Sequence, residues 1–294
     1  MSRIHDALKR AEQERASSLG VQVEPVPERP VSAPAQATTA TAVMPAMTGA
    51  LTYENLLARC PQMNWTPDLG TMLFFQDDEN RIGAEEFRTL RSRLYQIREK
   101  LPLKRLMVTS ALPKEGKSFV TANLGQVMVR QHGRRALIID ADLRSPGMHR
   151  HLGAPQTPGL SDYLLGECDE FSVLQRGPME NLFFLPAGRL VSSASELLSN
   201  GRLKLFLQRV EPLFDWIIMD TPPVIPVADS TLLANFCDGV LMVVRSQVTP
   251  SDLARRTREE FQDKLLLGVV LNGSNSAKRA QSKYYYGEAV SSHA

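Results

Sequence analysis

From about residue 82 the chain alternates short, continuous apolar runs with stretches of helical periodicity. The runs are RLMVTS (105–110), ALIID (136–140), LFFLP (182–186), WIIMD (216–220), GVLMVVR (239–245) and LLLGVVLN (265–272). Continuous rather than alternating apolar character predicts strands covered on both faces. Helix-length segments between them predict right-handed crossovers and a mostly parallel sheet. The pattern thus predicts one α/β domain over residues 82–273, with helices on both faces of the sheet. Within it, AEEFRTLRSRLYQIREK (84–100) carries Phe87, Leu90, Leu94 and Ile97 on one stripe, which predicts a helix docked on the core.

Outside that domain the pattern changes. Residues 1–20 read as a short amphipathic helix, with Ser2 as cap and Ile4, Leu8 and Ala11 at helical spacing. Alone such a helix is marginal, so its better use is docking. Residues 21–50 hold five prolines and seven alanines and no aromatic residue, a partly extended linker. Residues 51–81 stay unassigned: LTYENLLARC fits a helix and MLFF (72–75) a strand. Residues 274–294 show no periodicity, and a flexible tail is expected.

Composition narrows the function classes. Hydrophobic content of 43% and charged content of 22% are those of an ordinary globular protein. A net charge of +2 argues against a nucleic-acid coat. No apolar run reaches the ~18–20 residues that cross a bilayer, and the opening MSRIHDALKRAEQER lacks the apolar core of a signal peptide. The three cysteines, Cys60, Cys168 and Cys237, form no metal or redox spacing. A cytosolic, reduced protein is expected.

Candidate chemistry begins after the first run. RLMVTSALPKEGKSFVTANLG places a loop ending in Gly116-Lys117-Ser118 between a strand and a helix, the context a phosphate-binding loop requires. Its backbone N–H groups and the helix N-terminus can cradle phosphates. The segment Pro113, Lys114, Glu115, Gly116, Lys117, Ser118 and Phe119 is the expected nucleotide contact. Lys117 would meet the outer phosphates and Ser118 a Mg²⁺ ion. Ala111 stands where the first glycine is usual. Two other runs end in carboxylates: Asp140, with Asp142 two residues on, and Asp220, followed by Pro222 and Pro223. Ligands collect at the carboxyl ends of parallel strands, so all three aspartates are expected beside the loop.

SALPKEGKS, IIDADLR and IMDTPP resemble the Walker A, A′ and B motifs of the bacterial tyrosine kinases (BY-kinases) of capsule and exopolysaccharide assembly. GLSDYLLGE (159–167) and LPAGRLVSSASELL (185–198) are also similar, and the resemblance spans about residues 83–286. It implies a P-loop NTPase-type fold, ATP and Mg²⁺ as cofactors, and autophosphorylation of a C-terminal tyrosine cluster, here Tyr284, Tyr285 and Tyr286. It further implies that Asp140 and Asp142 bind Mg²⁺ or take the acceptor proton; Asp220, by its place at a strand end, suits a water-mediated metal position. Asn272 matches the adenine-contacting position, although an asparagine there also suits a plain strand-end cap.

Glu85, Arg88 and Arg91, three apart on one helix, read by charge alone as solvated pairs; by resemblance they match the family's ring-forming motif. The family's activator is a membrane-spanning polysaccharide co-polymerase, here expected as a separate chain that recruits the kinase to the inner face of the membrane. Two other classes stay open: a partitioning-type nucleotide switch, and a catalytically idle scaffold. Leu112 stands where partitioning ATPases carry a second lysine, and the intact set of Lys117, Ser118, Asp140, Asp142 and Asp220 speaks against an idle scaffold.

Overall fold

Each apolar run forms a strand: β1 (Arg105–Ser110), β2 (Ala136–Asp140), β4 (Leu182–Leu185), β5 (Trp216–Asp220), β6 (Gly239–Arg245) and β7 (Leu266–Asn272). A short β3 (Gln175–Arg176) precedes β4 and gave no sequence signal. The computed structural model describes residues 51–76 and 81–274. The expected N-terminal helix, the linker and the tyrosine tail lie outside these residues.

The seven strands lie in the order β3-β4-β2-β5-β1-β6-β7. All pairs are parallel except β3 with β4. Side chains alternate across the sheet: Leu137, Ile139, Ile217 and Met219 fill one core layer. Ile138, Ile218, Leu106 and Val108 fill the layer on the other face. Because β5 pairs with both β1 and β2, Asp220 lies level with Asp140 on one side and Val108 on the other. Parallel pairing thus brings the carboxyl ends of three strands into one row.

The segment before the first sheet strand is a strap rather than a strand. Tyr53–Arg59 is helical, with Thr52 Oγ1 accepting the Asn55 N–H at 3.2 Å. MLFF, expected as a strand, instead runs in turns across the helix Lys117–Val129. The side chains of Asn123 and Gln126, both fully buried in that helix, serve as its partner edge. Asn123 accepts the Leu73 N–H at 2.8 Å and donates to Thr71 O at 2.9 Å; Gln126 accepts the Phe74 N–H at 3.1 Å. Two amides thereby supply what a neighbouring strand would, so the backbone is satisfied without a ladder. Met72, Leu73 and Phe74 are buried beneath.

Candidate active site

The loop after β1 is locked by its own side chains. Lys114 (φ 64°) and Gly116 (φ 95°) take left-handed backbone conformations. At Gly116 a β-carbon would lie 2.0 Å from Asn272 Nδ2, so glycine is required there on two counts. Asn272 donates to the Glu115 carbonyl at 2.9 Å, and Arg245 to the Lys114 carbonyl at 2.9 Å. The Glu115 carboxylate turns inward, accepting the Leu112 N–H at 2.7 Å and the Thr249 hydroxyl. The loop is thus held from β6 and β7 by the protein's own groups.

Charge concentrates where the loop meets its helix. Lys117 Nζ lies 3.2 Å from Asp142 Oδ2, with its side chain only 13% exposed. Ser118 Oγ donates to Asp220 Oδ2 at 2.6 Å. Asp140 accepts the N–H groups of Gly147 (3.2 Å), Met148 (3.1 Å) and Asp142 (3.3 Å). Asp142 accepts that of Ser145 at 3.0 Å.

Burial, and then the Asp220 charge, push the Asp140 carboxyl up to about 8. Burial also raises Asp220, against the pull of Lys117 and Ser118. For Lys117 burial works downward, but the charges of Asp220, Asp142 and Asp140 outweigh it and the ammonium is raised. Three buried carboxylates therefore face one cation. Asp220 Oδ1 is buried with no hydrogen-bond partner among the described residues. Among the described residues no three His, Cys, Asp or Glu side chains converge as a ready metal cage. The unpaired Asp220 oxygen beside the Ser118 hydroxyl nonetheless offers the hard oxygen donors that suit a divalent cation such as Mg²⁺.

Lys117, Ser118, Asp140, Asp142 and Asp220 are thus brought together. The other expected contacts divide. Pro113 and Lys114 sit exposed at the loop tip, while Glu115 is 2% exposed and acts as an internal brace. Phe119 turns away from the carboxylates and meets Phe87 edge-on at 5.8 Å. It lines a cleft of about 640 Å³ shared with Ile82, Leu90, Leu271 and Asn272. The Asn272 amide is engaged with the loop itself. Glu85 pairs with Arg88 at 3.1 Å on the helix Ala84–Arg98, and Arg91 donates to Val127 O at 3.0 Å. Tyr284, Tyr285 and Tyr286 lie outside the described residues.

Sequence reasoning passed over the brace role of Glu115 and a fork formed by Arg144 on Asp229. Asp229 lies in PVADS, with no spacing that links it to the motifs. Asn123 and Gln126 did leave a signal: two amides inside the apolar stretch VTANLGQVMV.

No protein-family model matches the chain. The chain is 34% identical over 206 residues to the tyrosine-protein kinase YwqD of Bacillus subtilis, covering 69% of this chain and 86% of that protein. It is 31% identical over 212 residues to the tyrosine-protein kinase wzc of Salmonella typhimurium, covering 70% of this chain but 29% of that longer protein. Among solved structures, the kinase domain of the Escherichia coli tyrosine kinase ETK superposes with a TM-score of 0.65 at 28% identity. That match covers 71% of this chain and 80% of the other.

Proposed function

Because the chain belongs to the bacterial tyrosine kinases, we propose that it transfers the γ-phosphoryl group of ATP to Tyr284, Tyr285 and Tyr286 of its own tail, one subunit serving another. The observation that carries this reading is the Lys117–Asp142 contact of 3.2 Å, which supports Lys117 as the phosphate-binding cation and Asp142 as the proton acceptor. Asp142 takes the phenolic proton as the tyrosine oxygen bonds to the γ-phosphorus. The bond from that phosphorus to the β,γ-bridging oxygen breaks, and ADP leaves. Transfer of this kind asks mainly for positioning and charge neutralisation. Ser118, Asp140 and Asp220 would hold Mg²⁺, which when bound supplies positive charge to the phosphates. Lys117 binds the outer phosphates, and the braced loop orients its N–H groups toward them.

The structure of the other tyrosines supports the tail as acceptor. Tyr163 is buried, Tyr95 stacks edge-on against Trp216 and the Tyr53 hydroxyl donates to Asn181 Oδ1 at 2.7 Å. In the wider reading, phosphorylation regulates exopolysaccharide polymerisation and export, through a membrane-spanning co-polymerase that binds and activates the kinase. Among the described residues no helix is long and apolar enough to cross a membrane. In this reading the partner recruits the kinase to the inner membrane face. Subunits assemble as a ring through Glu85, Arg88 and Arg91.

The test is to incubate the full chain with ATP and Mg²⁺ and map the label by mass spectrometry. Changing Tyr284, Tyr285 and Tyr286 to Phe should remove most phosphotyrosine while ATP binding is kept. Label found chiefly on Tyr53, Tyr95 or Tyr163 would overturn the assignment.

A further inference from the structure

Arg144 lies two residues beyond Asp142, as Asp140 lies two before it. Its guanidinium forks over Asp229: Nε donates to Oδ2 at 2.6 Å and an Nη to Oδ1 at 3.2 Å. The same Nη reaches Ser195 Oγ at 2.9 Å, and that hydroxyl donates to Asp229 Oδ1. Asp229 is 1% exposed and opens the helix Asp229–Ala234, which follows the Pro222-Pro223 turn after β5. Ser195 belongs to the helix Ala194–Ser199.

The loop that carries Asp142 is therefore pinned twice. Its inner pin is Asp140, which accepts the N–H groups of Gly147 and Met148. Its outer pin is the Arg144 fork, which ties it to the segments that follow β4 and β5. Asp142 hangs between the two, where the 3.2 Å attraction of Lys117 draws it toward the phosphate loop.

We infer that Arg144 is a positioning residue for phosphoryl transfer: its two-pronged hold on Asp229, buttressed by Ser195, fixes the loop that presents Asp142 to the acceptor hydroxyl. The inference rests on the kinase reading given above. A planar fork matches a carboxylate bidentately, which an ammonium cannot do. The Arg144 side chain is 42% exposed but that of Asp229 only 2%, so stability is followed beside rate to separate lost geometry from the cost of an unpaired buried carboxylate.

The experiment compares wild type, Arg144→Lys, Arg144→Met and Ser195→Ala as full-length chains. It measures single-turnover transfer from bound ATP-Mg²⁺, affinity for a fluorescent ADP analogue, and melting temperature. Arg144→Lys and Arg144→Met should slow transfer ~10–100-fold, the scale on which misplacement of a reacting group acts. Nucleotide affinity should stay near that of wild type, because the phosphate loop is untouched. Ser195→Ala, which removes only the buttress, should slow transfer several-fold at an unchanged melting temperature. Transfer by Arg144→Lys at the wild-type rate would overturn the inference. So would a loss of rate matched by an equal loss of nucleotide affinity. Wild type that binds the ADP analogue yet labels no tyrosine even with the activating co-polymerase present would sink the kinase reading itself, and the positioning role with it.

Discussion

One helix, Lys117–Val129, buries polar groups in two opposite ways. At its first turn, Lys117 and Ser118 face three buried aspartates, of which Asp140 is driven to keep its proton. Two turns on, Asn123 and Gln126 are equally buried, but their amides are engaged by the strap on one side and by the helix backbone on the other. Unpaired buried charge is costly, whereas a satisfied buried amide rigidifies. The difference separates a place where the fold stores an unmet demand for a ligand from a place where it secures itself. The first is the candidate site; the second belongs to stability.

Substitution at each site should therefore fail in a different currency. The largest effect is expected for Lys117→Met, which should cut tyrosine labelling by at least ~100-fold, the scale of losing one preorganised charge partner. Labelling at the wild-type rate would remove Lys117 from the site.

Asn123→Leu should do the reverse. It orphans the buried Leu73 N–H, at about 1–3 kcal/mol, frees the half-exposed Thr71 carbonyl, and should lower the urea midpoint. Transfer per folded molecule should be unchanged. An unaltered midpoint would mean that the strap is held by its apolar side chains alone.

A pH titration sharpens the contrast further. Folded and free of ligand, the Asp140 carboxyl keeps its proton up to about pH 8, whereas its ordinary value is 3.8. Between those limits unfolding releases a proton, so this group makes stability fall as pH rises from about 4 to 8. Asp140→Asn should flatten that slope in metal-free protein, as followed by chemical denaturation at several pH values. A slope identical in wild type and variant would discount the buried charge.

The smallest effect on stability is expected for Glu85, Arg88 and Arg91 changed together to Ala. The Glu85–Arg88 pair is exposed and such pairs contribute little. Light scattering of the unphosphorylated chain should nonetheless show a fall in mass if these residues join subunits. Equal masses would end the ring proposal.

Much of this was legible in the sequence because the signals were local. Apolar runs ending in Asp140 and Asp220 marked strands whose carboxyl ends meet, and Gly116-Lys117-Ser118 marked the turn between β1 and its helix. Four of the six expected strands keep the bounds that the apolar pattern gave them. What stayed hidden depends on partners distant in the chain. MLFF reads as a strand until Asn123 and Gln126, about fifty positions away, are seen to replace a strand edge. Nothing local shows that the Asn272 amide meets the Glu115 carbonyl, 157 positions away. The Arg144 fork joins positions 85 apart, which no periodicity could reveal.

The strand order also sets a timetable for manufacture. β1 and β2 leave the ribosome first, yet they do not pair with each other; β5 lies between them. Its first residue, Trp216, follows Asp140 by more than seventy positions. Until β5 arrives the centre of the sheet is missing, and long-range pairing of this kind is slow to close. The phosphate loop and the first two aspartates are thus synthesised well ahead of Asp220, the residue that completes their cluster. A nascent chain halted before residue 216 carries the phosphate-loop motif without Asp220, so the three aspartates can meet only after β5 has joined the sheet.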